Sequence, residues 1–259
     1  CLFYLRLWRC IMGGIQQILS TNIVPASGAY VPPDYVSSGL SAYYDPANTN
    51  SYPGSGSTLT DLSGNSNNGT IVGATYTDNS YFTLDGTNDY IVTSNLYSAI
   101  TSNEDHTVEM WVYANNVDDC LWNDLGSTNN PATSSYFFAG AQIISVGPFQ
   151  QIIGALWTGA ATNRSIGASG TLTGGWKNVV RTYSGTTLTC YVNAATAGAA
   201  TMTWDSPPDD GLNFWYLAFG AESVTAYASS TAGWLNGRVG IMRVYDRALS
   251  STEVTSNYN

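Results

Sequence analysis

The sequence predicts an all-β chain, folded as a two-sheet antiparallel sandwich behind an extended N-terminal arm. Three observations carry that prediction. From Gly39 onward, short runs rich in Val, Ile, Thr, Tyr and Trp alternate with turns of Gly, Asn, Ser and Asp. Helical periodicity is nearly absent over the same stretch. The 259 residues, 44% of them apolar and 13% aromatic, suffice for one large sandwich core.

Residues 1–38 read as the arm. Pro25, Pro32 and Pro33, with Gly13, Gly14 and Gly28 between them, favour extended backbone and cannot pair as a central strand. One helical turn is expected around Ile15–Leu19. The apolar start presents Leu2, Phe3, Tyr4, Leu5, Leu7 and Trp8 together, and such a cluster marks a contact surface. Docking on a partner chain is the preferred reading; packing back onto its own domain is the other. The stretch over residues 1–11 is too short to span a bilayer, and no other stretch approaches a transmembrane helix. A processed end, a fragment and a true start at Met12 all fit the N-terminus.

The domain is expected over residues 39–259. Strands are predicted at Leu40–Tyr44, Thr70–Val72, Tyr81–Leu84 and Tyr90–Thr93. Thr107–Tyr113 is the strongest, with Val108, Met110 and Val112 on one face and Glu109, Trp111 and Tyr113 on the other. Tyr136–Ala139, Gln142–Val146 and Gln151–Trp157 follow. Trp176–Tyr183 and Thr187–Asn193 flank Ser184-Gly185-Thr186, a hairpin signature. Phe214–Phe219 and Arg238–Tyr245 complete about 12 strands. Ser250-Ser251-Thr252-Glu253 is a capping box for a single final helical turn.

Composition narrows the function. Charged residues make up 10% and the formal net charge is −10. One Lys and seven Arg make no basic footprint, so nucleic-acid binding is disfavoured. A weakly charged surface of Ser, Thr, Asn, Gly and Tyr suits sugars, close-packed assemblies or the outside of a particle. Cys1, Cys10, Cys120 and Cys190 match neither a zinc pattern nor a disulfide framework, and all four are expected reduced, Cys190 as a buried thiol.

Four stretches, in order and at suitable spacing, resemble the laminin G-like jelly rolls of the concanavalin A-like superfamily. Gly39–Tyr44 resembles the opening strand, and Asp61-Leu62-Ser63-Gly64-Asn65-Ser66-Asn67-Asn68-Gly69-Thr70 the polar loop. Phe82–Ile91 resembles the following strand pair, and Gly237–Ser250 the closing strand and cap. The resemblance covers roughly residues 39–259 and leaves the arm outside. It implies two facing antiparallel sheets with loops at the rim, and use as a sugar-binding or adhesion module. It also implies kinship with lone domains found as structural proteins of tailed bacteriophages.

The candidate chemistry is sparse. The polar loop is rich in oxygens: Asp61, Asn65 and Asn68 are candidate calcium ligands, with Asp85 or Asp89 nearby if the family geometry holds. The alternative is that these residues only shape tight turns. A glycosidase of this superfamily needs two carboxylates projecting from one strand, as acid and nucleophile. Of four Glu, Glu109 alone lies in a predicted strand, without a neighbour two residues away, so no enzyme is expected and Glu109→Gln should leave fold and binding unchanged. His106, the single histidine, reads as a polar residue at a strand start. Asp118-Asp119 and Asp209-Asp210 read as solvated turns or rim cation sites. Trp122, Trp157, Trp204, Trp215 and Trp234 lie near loops or strand ends, where sugars stack.

These readings combine into a non-enzymatic virion structural protein. The jelly roll is displayed on a bacteriophage capsid or tail, at the virion surface, and residues 1–38 anchor it to other virion chains. A cell-surface glycan is a further expected partner; nucleic acid and membrane insertion are not. The alternative is a secreted bacterial carbohydrate-binding or adhesion module, extracellular or at the cell surface.

Overall fold

The computed structural model describes residues 34–96, 105–116, 120–126, 139–146, 149–156, 172–201, 215–221 and 233–259. Among them the chain forms two antiparallel sheets, the larger of eight strands. Its spatial order is β13 (Ala195–Thr201), β12 (Thr187–Val192), β11 (Trp176–Ser184), β7 (His106–Ala114), β15 (Asn236–Tyr245), β5 (Tyr81–Asp85) and β4 (Thr75–Thr77). β1 (Leu40–Tyr44) pairs with the second half of β15, and β5 with its first half. The smaller sheet has seven strands. They run β10 (Phe149–Leu156), β9 (Ala139–Val146), β8 (Cys120–Gly126), β14 (Trp215–Phe219), β6 (Tyr90–Val92), β3 (Gly69–Val72) and β2 (Thr58–Leu59). The predicted two-sheet sandwich is what forms.

Alternation builds the core. Val108, Met110, Val112 and Ala114 of β7 meet Phe82 and Leu84 of β5, with Leu121, Trp122, Leu217 and Phe219 of the smaller sheet. Burying each aliphatic or Phe side chain of this kind is worth roughly 1.5–3 kcal/mol. On β15 a register irregularity between Val239 and Met242 keeps Val239, Met242 and Val244 all inward, though strict alternation would turn one of them out. The same bulge leaves Arg238 and Arg243 both off the inter-sheet core. Ser184 and Thr187 face each other across the predicted hairpin turn, where Gly185 takes φ 59°.

Four strands escape the sequence reading. Thr58–Leu59 and Thr75–Thr77 are too short to show a period. Cys120–Gly126 contains Asn123 and Asp124, and Ala195–Thr201 is mostly Ala and Gly, residues that strands ordinarily avoid. The predicted capping box forms, with the Ser250 hydroxyl and Glu253 carboxylate reciprocating. It opens an eight-residue helix, α1 (Ser251–Tyr258), not a single turn. The helix continues because Val254 and Asn257 on one face dock and are buried.

The arm boundary also moves. Tyr35 lies 4.8 Å from Tyr43, ring to ring, and the Val36 N–H donates to Asn257 Oδ1 at 2.8 Å. Residues 35 and 36, read from sequence as arm, pack on the domain. Residues 1–33, with the expected helical turn and apolar cluster, lie outside the described residues, as do Cys1 and Cys10. So do Asp118, Asp119, Asp209, Asp210, Trp157, Trp204 and most of Tyr136–Ala139.

Candidate functional site

The polar loop is a hydrogen-bonded turn centred on Asp61. Its Oδ1 accepts from the N–H groups of Tyr43 at 2.9 Å and Ser63 at 2.8 Å. Its Oδ2 accepts from the Asn67 N–H at 3.0 Å and the Ser63 hydroxyl at 2.7 Å. Asn68 Oδ1 accepts from the Asp61 N–H, and Asn65 Nδ2 donates to the Leu40 carbonyl. The loop thus brings Asp61, Asn65 and Asn68 together. It does so by aiming donors at the very oxygens a cation would need.

Asp85 and Asp89 form a second, separate turn. Asp85 Oδ1 accepts from the Thr87 and Asn88 N–H groups, and Asp89 Oδ2 from the Asp85 N–H. Burial pushes the Asp89 carboxyl up from the ordinary range. No hydrogen bond joins this turn to the Asp61 loop, and among the described residues no three His, Cys, Asp or Glu side chains converge.

Glu109 is fully buried on the outer face of the larger sheet, beneath α1. Arg243 Nη1 reaches its Oε1 at 3.0 Å, Asn178 Nδ2 donates to the same oxygen at 2.9 Å, and Asn257 Nδ2 donates to Oε2 at 2.7 Å. The Arg243 guanidinium also stands over the rings of Tyr35 and Tyr43, at 5.4 and 5.1 Å. A carboxylate held this way is closed off from solvent. The expectation that Glu109→Gln would not touch the fold does not fit this geometry, because the change would leave Arg243 buried without its counter-charge.

His106 is buried inside the sandwich, its Nε2 2.9 Å from Arg181 Nη2, with the Arg181 guanidinium 5.9 Å from the Trp122 ring centre. Trp122 is core, so it is not an exposed stacking surface. Cys120 and Cys190 are buried thiols outside any disulfide, and burial pushes the Cys190 thiol up to about 12. Trp234 is half-buried beside Tyr90, 6.1 Å ring to ring.

The feature the sequence reading missed lies on the open part of the larger sheet. Cross-strand register sets Trp176 of β11 opposite Tyr113 of β7, Tyr113 opposite Arg238 of β15, and Arg238 opposite Thr83 of β5. Tyr81, two residues before Thr83, shares that face. All five are half-buried. Trp176 meets Tyr81 at 5.6 Å and 68° and Tyr113 at 6.0 Å and 78°, both edge-to-face. The Arg238 guanidinium sits 4.7 Å from the Tyr113 ring centre and 5.4 Å from that of Tyr81. Gly237 permits the close strand approach here, since a Cβ would fall 2.2 Å from the Tyr113 carbonyl oxygen. The outward period-2 positions of the four strands carry the signal. Single stretches do not reveal it, because the four strands come from distant parts of the chain.

The family model for the concanavalin A-like lectin/glucanases superfamily matches residues 85–255. Domain 4 of a GH43 extracellular arabinanase from Geobacillus stearothermophilus, in complex with arabinotriose, is similar with a TM-score of 0.60 and 16% identity, over 85% of this chain and 98% of that one. Trypanosoma rangeli sialidase in complex with sialic acid is similar with a TM-score of 0.59 and 14% identity; 99% of this chain is covered but 39% of the sialidase. A botulinum neurotoxin type C structure, whose cell entry depends on interaction with two ganglioside molecules, gives a TM-score of 0.55 and 14% identity, over 85% of this chain and 51% of the toxin chain. At such identities the likeness is one of fold. Comparison with curated proteins finds no match.

Proposed function

Because the chain belongs to the concanavalin A-like lectin/glucanases superfamily, we propose that it is a non-enzymatic, saccharide-binding display domain whose contact face is the Trp176–Tyr113–Tyr81–Arg238 platform. The observation that carries this reading is the half-exposed aromatic cluster on adjacent strands of a rigid sheet. Aromatic faces offer sugar C–H groups a stacking surface at low entropic cost, and Arg238 and the tyrosine hydroxyls supply donors for ring oxygens. The arabinotriose, sialic acid and ganglioside associations of its structural neighbours support the ligand class. The state of Glu109, buried and engaged on both oxygens, supports a role without glycoside hydrolysis.

We read the domain as displayed on a bacteriophage particle. The apolar cluster Leu2–Trp8 supports attachment through the N-terminal segment. A second deployment, as an extracellular carbohydrate-binding module, is favoured by the 98% coverage of the arabinanase domain.

A glycan array probed with the full chain tests the binding reading, with product analysis on the bound sugars. Retention of at least one saccharide class, lost in Tyr113→Ala and without cleavage, is expected. Binding unaffected by that change would refute the platform, and hydrolysis by the pure protein would refute the non-enzymatic role.

A further inference from the structure

We infer that the platform selects acidic saccharides, with Arg238 gripping a carboxylate or sulfate on the sugar; this rests on the platform being the saccharide-binding face. The starting point is how this chain treats its arginines. Arg243 pairs with Glu109, and Arg247 forks onto both oxygens of Glu253 at 2.7 and 3.1 Å. Arg238 has no such partner: among the described residues no carboxylate or carbonyl accepts from it. In a chain of net charge −10, a half-exposed cation kept free of its own acids is available for another molecule's.

Geometry strengthens the case. Tyr113 and Tyr81 stand against the guanidinium, which restrains its orientation. The guanidinium carries its N–H donors in one plane, an arrangement suited to two parallel hydrogen bonds with a planar or tetrahedral anion. The acids nearest in sequence on that face are already engaged. Asp78 Oδ2 accepts from the Tyr81 hydroxyl at 3.0 Å, and Asp85 Oδ1 accepts from the Thr87 and Asn88 N–H groups. Trp176 extends the surface beside the cation, where the sugar ring would lie while its acidic group meets Arg238.

Affinities of the full chain for matched pairs decide the matter: uronic acid oligomers against their carboxyl-reduced forms, and sulfated galactan oligomers against their desulfated forms. At least one acidic member should bind tenfold or more tightly than its neutral partner, and which pair responds tells carboxylate from sulfate. Arg238→Gln should erase that margin, bringing the acidic members down to the affinity of their neutral partners, while Arg238→Lys keeps part of it. The margin should also shrink as salt rises. Equal binding of acidic and neutral members, or an equal loss of both in Arg238→Gln, would overturn the acidic preference while leaving the platform intact. Binding that survives Trp176→Ala unchanged, or no binding to any member, would remove the platform itself.

Discussion

Two arginines of β15 face the same side of the larger sheet and live in opposite circumstances. Arg243 is fully buried, paired with Glu109, flanked by Tyr35 and Tyr43 and roofed by α1 through Asn257. Arg238 is half-exposed, flanked by Tyr81 and Tyr113, and has no acceptor among the described residues. Each pairs a cation with aromatic rings on one sheet face. What separates them is the cover. The C-terminal helix and residues 35 and 36 close one half of the face and turn its charges into structure. The other half has no such cover among the described residues, and its cation is the one we propose for ligand contact.

The largest expected effect lies in the covered half. Glu109→Ala leaves Arg243 buried without its counter-charge and should cost about 3–5 kcal/mol in denaturant unfolding, whereas Arg238→Gln should cost less than about 1. Equal costs would erase the distinction between the two halves.

Asn257 sharpens it further, since this one side chain touches Glu109, Tyr245 and the Val36 N–H. Asn257→Ala should destabilise by about 1–3 kcal/mol, because it strands buried partners. A chain starting at Asp34 should melt like the parent, and one starting at Gly39 should lose a comparable amount, since it lacks Tyr35 and Val36. If both truncations melt alike, the cover does not include those residues.

Asp45, whose Oδ2 accepts from the Tyr43 hydroxyl, reports on the same half through pH. Burial pushes its carboxyl up to about 6, opposed by the Ala47 N–H and by Arg243. The folded state therefore holds the proton more tightly than the unfolded chain. This group's contribution is greatest at low pH and is lost as pH rises from the ordinary carboxylate range through about 6. Asp45→Asn, which keeps one oxygen acceptor, should be more stable than the parent above pH 7 by on the order of 1–3 kcal/mol, the difference closing near pH 4. Stability curves that run parallel from pH 4 to 8 would contradict this.

The smallest effect concerns calcium. With four donors already on the Asp61 carboxylate, adding calcium or a chelator should leave the melting temperature unchanged. A calcium-dependent rise would mean that these bonds give way to a cation.

Much of the fold was legible in the sequence, because it is written locally. The alternation of Val108, Met110 and Val112, the turn at Gly185 and the Ser250–Glu253 box each act over a few residues, and each appears as read. The second turn of α1 was not legible, since it depends on where Asn257 lands, on Glu109 far away in the chain. The polar loop was visible as a cluster of Asp61, Asn65 and Asn68, but the donors that fill Asp61 include the backbone of Tyr43, which no local pattern reveals. The platform was the hardest to see. Trp176, Tyr113, Arg238 and Tyr81 sit on four strands scattered over the chain, and only the register of β11, β7, β15 and β5 brings them into one cluster.

The most direct test of the open half is a saccharide titration of Trp176→Ala beside the parent, with both melting curves recorded. The indole is half-exposed and meets its neighbours edge-on, so its loss should cost little stability. The account predicts a tenfold or greater loss of affinity with the melting temperature held within a few degrees. Unchanged affinity in a normally folded Trp176→Ala would contradict it.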